Sequence, residues 1–251
     1  MAKQRSIIKL EGTMDDITFM KTVDGYVARK NNSVSGNRIK SDPAFQRTRE
    51  NNAEFKKAAA AATVLRKAFR NQMQYAKDGR VISRLLKEMI KVLHADATST
   101  RGMRNVMDGE TELLQGFQFN LNAVLDSTLF AHYQSSIDRA TGNTVVDIPA
   151  FIPANDIVGP DGITHFKLIA AASEVNFEKA EFTIVSADSG ILPWNATQVA
   201  ASQLVNALPA GSSHPLFLVF GIQFFQVVNG TEYPLKNGAF NPLSIINVNG
   251  I

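Results

Sequence analysis

The stretch Leu216–Tyr233 reads LFLVFGIQFFQVVNGTEY. A run of aliphatic and aromatic residues ends at Asn229-Gly230, and strand-forming residues resume at once. Both central residues of a tight two-residue hairpin turn need positive φ, which Asn and Gly tolerate, so the stretch predicts two antiparallel strands. Gly221, Gln223 and Gln226 interrupt the apolar run Pro215–Val228, which is too short and too polar to span a bilayer.

The same grammar extends outward from this hairpin. FQFNLNAVL (117–125) alternates, and GITHFKLIAAASEVNF (162–177), AEFTIVSADSG (180–190) and PLSIINVNGI (242–251) are rich in β-branched and aromatic residues. Turn signals separate them at Thr141-Gly142-Asn143, Pro160-Asp161-Gly162, Asp188-Ser189-Gly190 and Asn237-Gly238. Many short strands with such punctuation predict an antiparallel β-sandwich over residues 111–251.

Upstream the period changes to helical. Ser41 or Asp42 is placed to cap a helix, with Pro43 near its first position. Phe55, Ala58, Ala62, Leu65, Phe69 and Met73 form one apolar stripe, with Lys56, Lys57, Lys67 and Arg70 on the other side. Asp78-Gly79 ends or breaks this helix. Val81, Ile82, Leu85, Leu86, Met89, Ile90 and Leu93 give a second helix, with Arg80, Arg84, Lys87 and Lys91 as a basic stripe. Residues 41–110 therefore read as a basic helical hairpin. Residues 1–40 read as a β arm with strands in SIIKLEG (6–12), DITFMKTV (16–23) and YVARKNNSV (26–34), the last two joined at Asp24-Gly25. So small an element cannot bury a face by itself and must pack on something. The expected fold is α+β: arm, helical hairpin, sandwich.

Charge is distributed unevenly. Residues 1–104 hold 22 of the 26 Lys and Arg against 10 acids, a net +12, and residues 105–251 hold 4 against 13, a net −9. The total of +3 conceals this polarity. It fits either a polyanionic partner or a molecule complementary to copies of itself.

The chain has no Cys, which excludes disulfides, thiolate metal sites and a thiol nucleophile. His94, His132, His165 and His214 are scattered without ligand spacing. No nucleophile elbow and no phosphate-binding glycine loop occurs. We therefore expect a non-enzyme with no cofactor, no metal and no small-molecule substrate. The basic opening has no apolar segment behind it, so we expect cytoplasmic synthesis without a secretory signal.

DPAFQRTRENNAEF (42–55), DATSTRG (96–102) and FFQVVNGTEYPLKNGAFNPLSIINV (224–248) resemble members of an uncharacterised family of Bacteroidota proteins. The resemblance implies a lineage-specific structural or surface component, or a component encoded by a phage of such bacteria. It brings no site residues with it.

Three functions follow from these patterns. The first is a self-assembling subunit of a filament, tube or shell. Ile7, Ile8, Leu10, Ile17, Phe19 and Tyr26 would plug into a neighbour, and Lys56, Lys67, Arg70, Arg80, Arg84, Lys87 and Lys91 would face its acidic half. The second is a nucleic-acid-binding protein using the same basic helices. The third is a carbohydrate-binding or adhesive sandwich in which Trp194, the sole tryptophan, stacks on a sugar; its competing role is a buried plug.

Overall fold

A computed structural model describes residues 2–5, 7–30 and 34–251, and of 236 and 237 the backbone alone. The chain divides into two compact units, 1–49 and 50–251.

The first unit is a four-stranded antiparallel sheet: β1 (Ala2–Lys3), β2 (Gly12–Met14), β3 (Ile17–Thr22) and β4 (Gly25–Lys30), in the order β1-β4-β3-β2. The β3–β4 hairpin forms, but its turn is one residue earlier than expected: Thr22 pairs with Gly25, so Val23-Asp24 makes the turn and Gly25, at φ 112, opens β4. The first expected strand does not form at Ile7–Leu10. The Gln4 side chain binds both backbone groups of Leu10, accepting from its N–H at 3.0 Å and donating to its carbonyl at 3.3 Å. This closes a loop, and pairing resumes only at Gly12. The end of the third expected strand, at 31–33, lies outside the described residues. A short helix α1 (Gly36–Ser41) follows. Asp42 then accepts from the Ala44 N–H and starts a 3-10 turn at Pro43, which runs into α2 (Gln46–Ala68).

The second unit has three layers. Helices α2, α3 (Arg70–Gln74) and α4 (Val81–His94) form one. The middle layer is a sheet built on β7 (His165–Asn176) and β11 (Leu216–Val228), paired over ten residues from Leu216↔Glu174 to Phe225↔His165. The third layer is a small sheet of β5 (Gln134–Asp138), β6 (Asn143–Ile148) and β10 (Ser202–Ala207), with β6 central. The middle sheet is completed by β8 (Glu181–Asp188) and β9 (Leu192–Pro193) on β7, and by β12 (Thr231–Pro234) and β13 (Leu243–Asn249) on β11. Residues 116–119 add along the far edge of β13: Gly116 N–H donates to Ile245 at 2.7 Å and Phe119 N–H to Leu243 at 2.8 Å.

Successive side chains of β11 serve different cores. Phe217 and Val219 pack with Leu65, Phe69, Leu85 and Met89 from the helices. Leu216, Leu218, Phe220 and Phe224 pack with Val146, Ile148 and Leu204 from the three-stranded sheet. The α+β arrangement, with a helical hairpin and an antiparallel sandwich, is the one expected. The hairpin at Asn229-Gly230 also forms as read: Val228 faces Thr231, and the two turn residues have φ 51 and 78.

One side chain of the helical stripe is misplaced by the periodicity. Phe55 is 53% exposed, and the buried position belongs to Glu54, at 4%. Glu54 is held there because its carboxylate accepts the Gly102 N–H at 2.7 Å, and a buried acceptor with a partner is tolerated where an unpaired one is not.

Candidate functional site

In an antiparallel sheet, residues opposite each other share a face and residues two apart return to it. The register of the first unit therefore puts Met14, Ile17, Phe19, Lys21, Tyr26, Ala28 and Lys30 on one face. The three strand residues of the expected arm, Ile17, Phe19 and Tyr26, lie together there. Ile17 is exposed and Phe19 and Tyr26 are half-buried. Lysines edge this face: Lys21 and Lys9 stand 5.7 and 5.9 Å from the Tyr26 ring centre, and Lys30 pairs with Asp16 at 3.2 Å. Ile7, Ile8 and Leu10 are exposed in the β1–β2 connection rather than on a strand.

The basic stripe of the helices divides. Lys56, Lys67, Arg70, Arg80, Lys87 and Lys91 are exposed, and Lys91 pairs with Glu88 at 2.6 Å. Arg84 turns inward, which corrects its assignment to a docking stripe. It donates to the carbonyls of Gln118 (2.7 Å) and Phe119 (3.2 Å), pairs with the Asp78 carboxylate, and lies 5.0 Å from the Phe117 ring centre. Burial pushes the Asp78 carboxyl up. The N–H groups of Leu121 and Arg80, together with Arg84, outweigh that and hold it below the usual carboxylate range.

A second knot ties the DATSTRG stretch to α2. Asp96 is buried and accepts from the N–H and hydroxyl of Thr98 and from the N–H groups of Ser99 and Asn105. Burial opposes ionisation here, but these donors hold the carboxyl far below its ordinary value. Arg101 reaches Asn51 at 2.7 Å and Glu50 at 3.6 Å, and Lys57 donates to the Arg104 carbonyl at 3.0 Å. Two of the stretches quoted for the family resemblance thus touch each other through Glu50, Asn51, Glu54, Arg101 and Gly102. Arg139, which sequence reasoning passed over, donates to the carbonyls of Ser212 and His214 at 2.8 Å and to that of Asn249 at 2.7 Å. These cations are fasteners, and nothing in the linear pattern separates a fastening Arg from a solvated one.

Trp194 is half-buried against the second core, and its indole N–H donates to the Ile157 carbonyl at 3.1 Å, as a plug would. Among the described residues no group of three His, Asp or Glu could hold a metal ion, and no helix is long and apolar enough to cross a membrane. A concavity of ≈ 530 Å³ is bordered by His132, Gln134, Asp147, Pro149, Ser202 and Gln203. No protein family, curated protein or solved structure matches this chain.

Proposed function

We propose that the chain is a structural subunit that associates with copies of itself through its first unit. One observation carries this reading. Among the described residues of that unit, Val27 is the one buried hydrophobic side chain, although the sheet has four strands. A sheet gains stability by covering a face, and this one leaves Met14 and Ile17 exposed. Covering a large apolar side chain contributes about 1.5–3 kcal/mol, so a neighbour that buried Ile17 and Phe19 would gain several kcal/mol. The +5 charge of residues 1–49, from ten basic and five acidic residues, favours an acidic neighbour.

The test is negative-stain electron microscopy of the nuclease-treated full-length protein at physiological salt, beside the Ile17→Asp/Phe19→Asp variant. Regular filaments, tubes or shells are expected for the wild type and small particles for the variant. Small monodisperse wild-type particles, or a variant that assembles equally well, would overturn the reading. The exposure of Phe55 beside Lys56 keeps nucleic-acid binding as the second reading, because a base could stack there. Assembly lost on nuclease treatment would favour it.

A further inference from the structure

This inference rests on the self-association reading and names the surface that receives the first unit. The three-stranded sheet of the second unit has an inner face in the core and an outer face in solvent. Its register aligns three rows across β5, β6 and β10: Gln134–Asp147–Gln203, Ser136–Val145–Val205 and Asp138–Asn143–Ala207. Alternation puts all nine on the outer side, since Val146, Ile148 and Leu204 between them are in the core. None of the nine is basic. Val205 is 49% exposed and Val145 half-buried, so the middle row is apolar at two of its three positions. Asp147 and Asp138 stand in the rows on either side. The Thr141 hydroxyl and the Ala140 N–H bond Asp138 and hold its carboxyl below the usual range, so it stays anionic into mild acid.

The exposed face of the first unit has the opposite character. Phe19 and Ala28 form its middle row, Ile17 shares an end row with Lys30, and Tyr26 shares the other with Lys21. Both faces are pleated antiparallel sheets with side chains at the same spacing, and such sheets pack face to face at about 10 Å. We infer that the first unit of one copy docks on the outer face of the β5–β6–β10 sheet of a second copy, with Phe19 over Val145 and Val205, and Lys21 and Lys30, in the rows on either side of Phe19, against Asp147 and Asp138. The ≈ 530 Å³ concavity at the Asp147 end of that face has room for a protruding side chain such as Ile7, which is fully exposed. The two surfaces differ, so the contact is head-to-tail and repeats without closing unless the rotation forms a ring.

The test is a charge swap in the full-length chain, read by sedimentation velocity across a concentration series at low salt. Lys21→Glu/Lys30→Glu makes both surfaces acidic, and Ser136→Lys/Asp147→Lys makes both basic. Each double variant should need roughly tenfold higher concentration to associate. The chain carrying all four substitutions should associate at a concentration clearly below that of either double variant, because attraction returns with its sign reversed at positions 136 and 147 while Asp138 still opposes one of the introduced acids. Loss of solubility or fold cannot imitate that rescue. If Ser136→Lys/Asp147→Lys associates like the wild type while Ile17→Asp/Phe19→Asp does not, the assembly reading stands and this receiving face is wrong. If the fourfold variant stays as weak as the doubles, the face is wrong as well. A wild type that is monomeric throughout the series overturns both.

Discussion

Replacing Arg84 by Ala separates a structural cation from a docking one. The guanidinium makes two charge-assisted hydrogen bonds to backbone carbonyls and one ion pair, and its side chain is 22% exposed. Each such bond contributes about 1.5–3 kcal/mol when well buried, and the remaining exposure discounts that figure. Asp78 keeps the N–H groups of Arg80 and Leu121, so its carboxylate is not stranded. The loss should be about 3–4 kcal/mol, by the magnitudes for buried pairs and charged hydrogen bonds. For a unit of 202 residues (50–251) this lowers Tm by roughly 6–16 °C. Lys91→Ala, which removes an exposed pair with Glu88 three residues away, should cost about 0.5 kcal/mol or less. Thermal unfolding followed by Trp194 fluorescence and far-ultraviolet circular dichroism reads both. An Arg84→Ala protein melting within about 2 °C of the wild type would refute the reasoning, since the predicted loss exceeds that severalfold. So would equal losses at the two positions. Adding Asp78→Asn in a double-mutant cycle should show coupling between 78 and 84 and none between 78 and 91.

Acid should act through Asp96. Its folded value is depressed, so the stability it contributes is present above its unfolded pKa, near 3.9, and is lost as pH falls through the folded value. The Tm gap between wild type and Asp96→Asn should therefore be widest near neutrality and narrow below about pH 4; a gap of the same width at both ends would contradict this origin. Gly102→Ala should lower Tm by several degrees. The position has φ +87, and a Cβ would stand 2.9 Å from Glu50 Cγ, a strain of about 1–3 kcal/mol. An unchanged melting curve would show that the DATSTRG knot relaxes without cost.

Local chemistry made much of this architecture legible. Asn229-Gly230 specifies its turn with two adjacent residues, and α4 declares itself through apolar residues at helical spacing. The shared face of Ile17, Phe19 and Tyr26 also follows from alternation across a two-residue turn, although that turn falls at Val23-Asp24, one residue before the pair that signals it. Three of the misplacements share one physical cause, which is capture by a distant partner. Gln4 takes the backbone of Leu10, Gly102 takes Glu54 into the interior, and two carbonyls more than thirty residues away take Arg84. Periodicity reports which face of an element is apolar. It carries no information about a hydrogen bond whose other half lies on another element. The receiving face on β5–β6–β10 was hidden for a related reason, because its rows exist only when three separated strands are aligned.

The double service of β11 leaves it one way to sit. A slip of a single residue past β7 would turn Phe217 and Val219 toward the three-stranded sheet and send Leu216, Leu218 and Phe220 under the helices. Strands with one wet face resist such a slip on one side. This one resists on both, because neither core has a hole shaped for the other's side chains. The alignment of the middle sheet is thus written into the strand itself, and the hairpin at its end has only to follow.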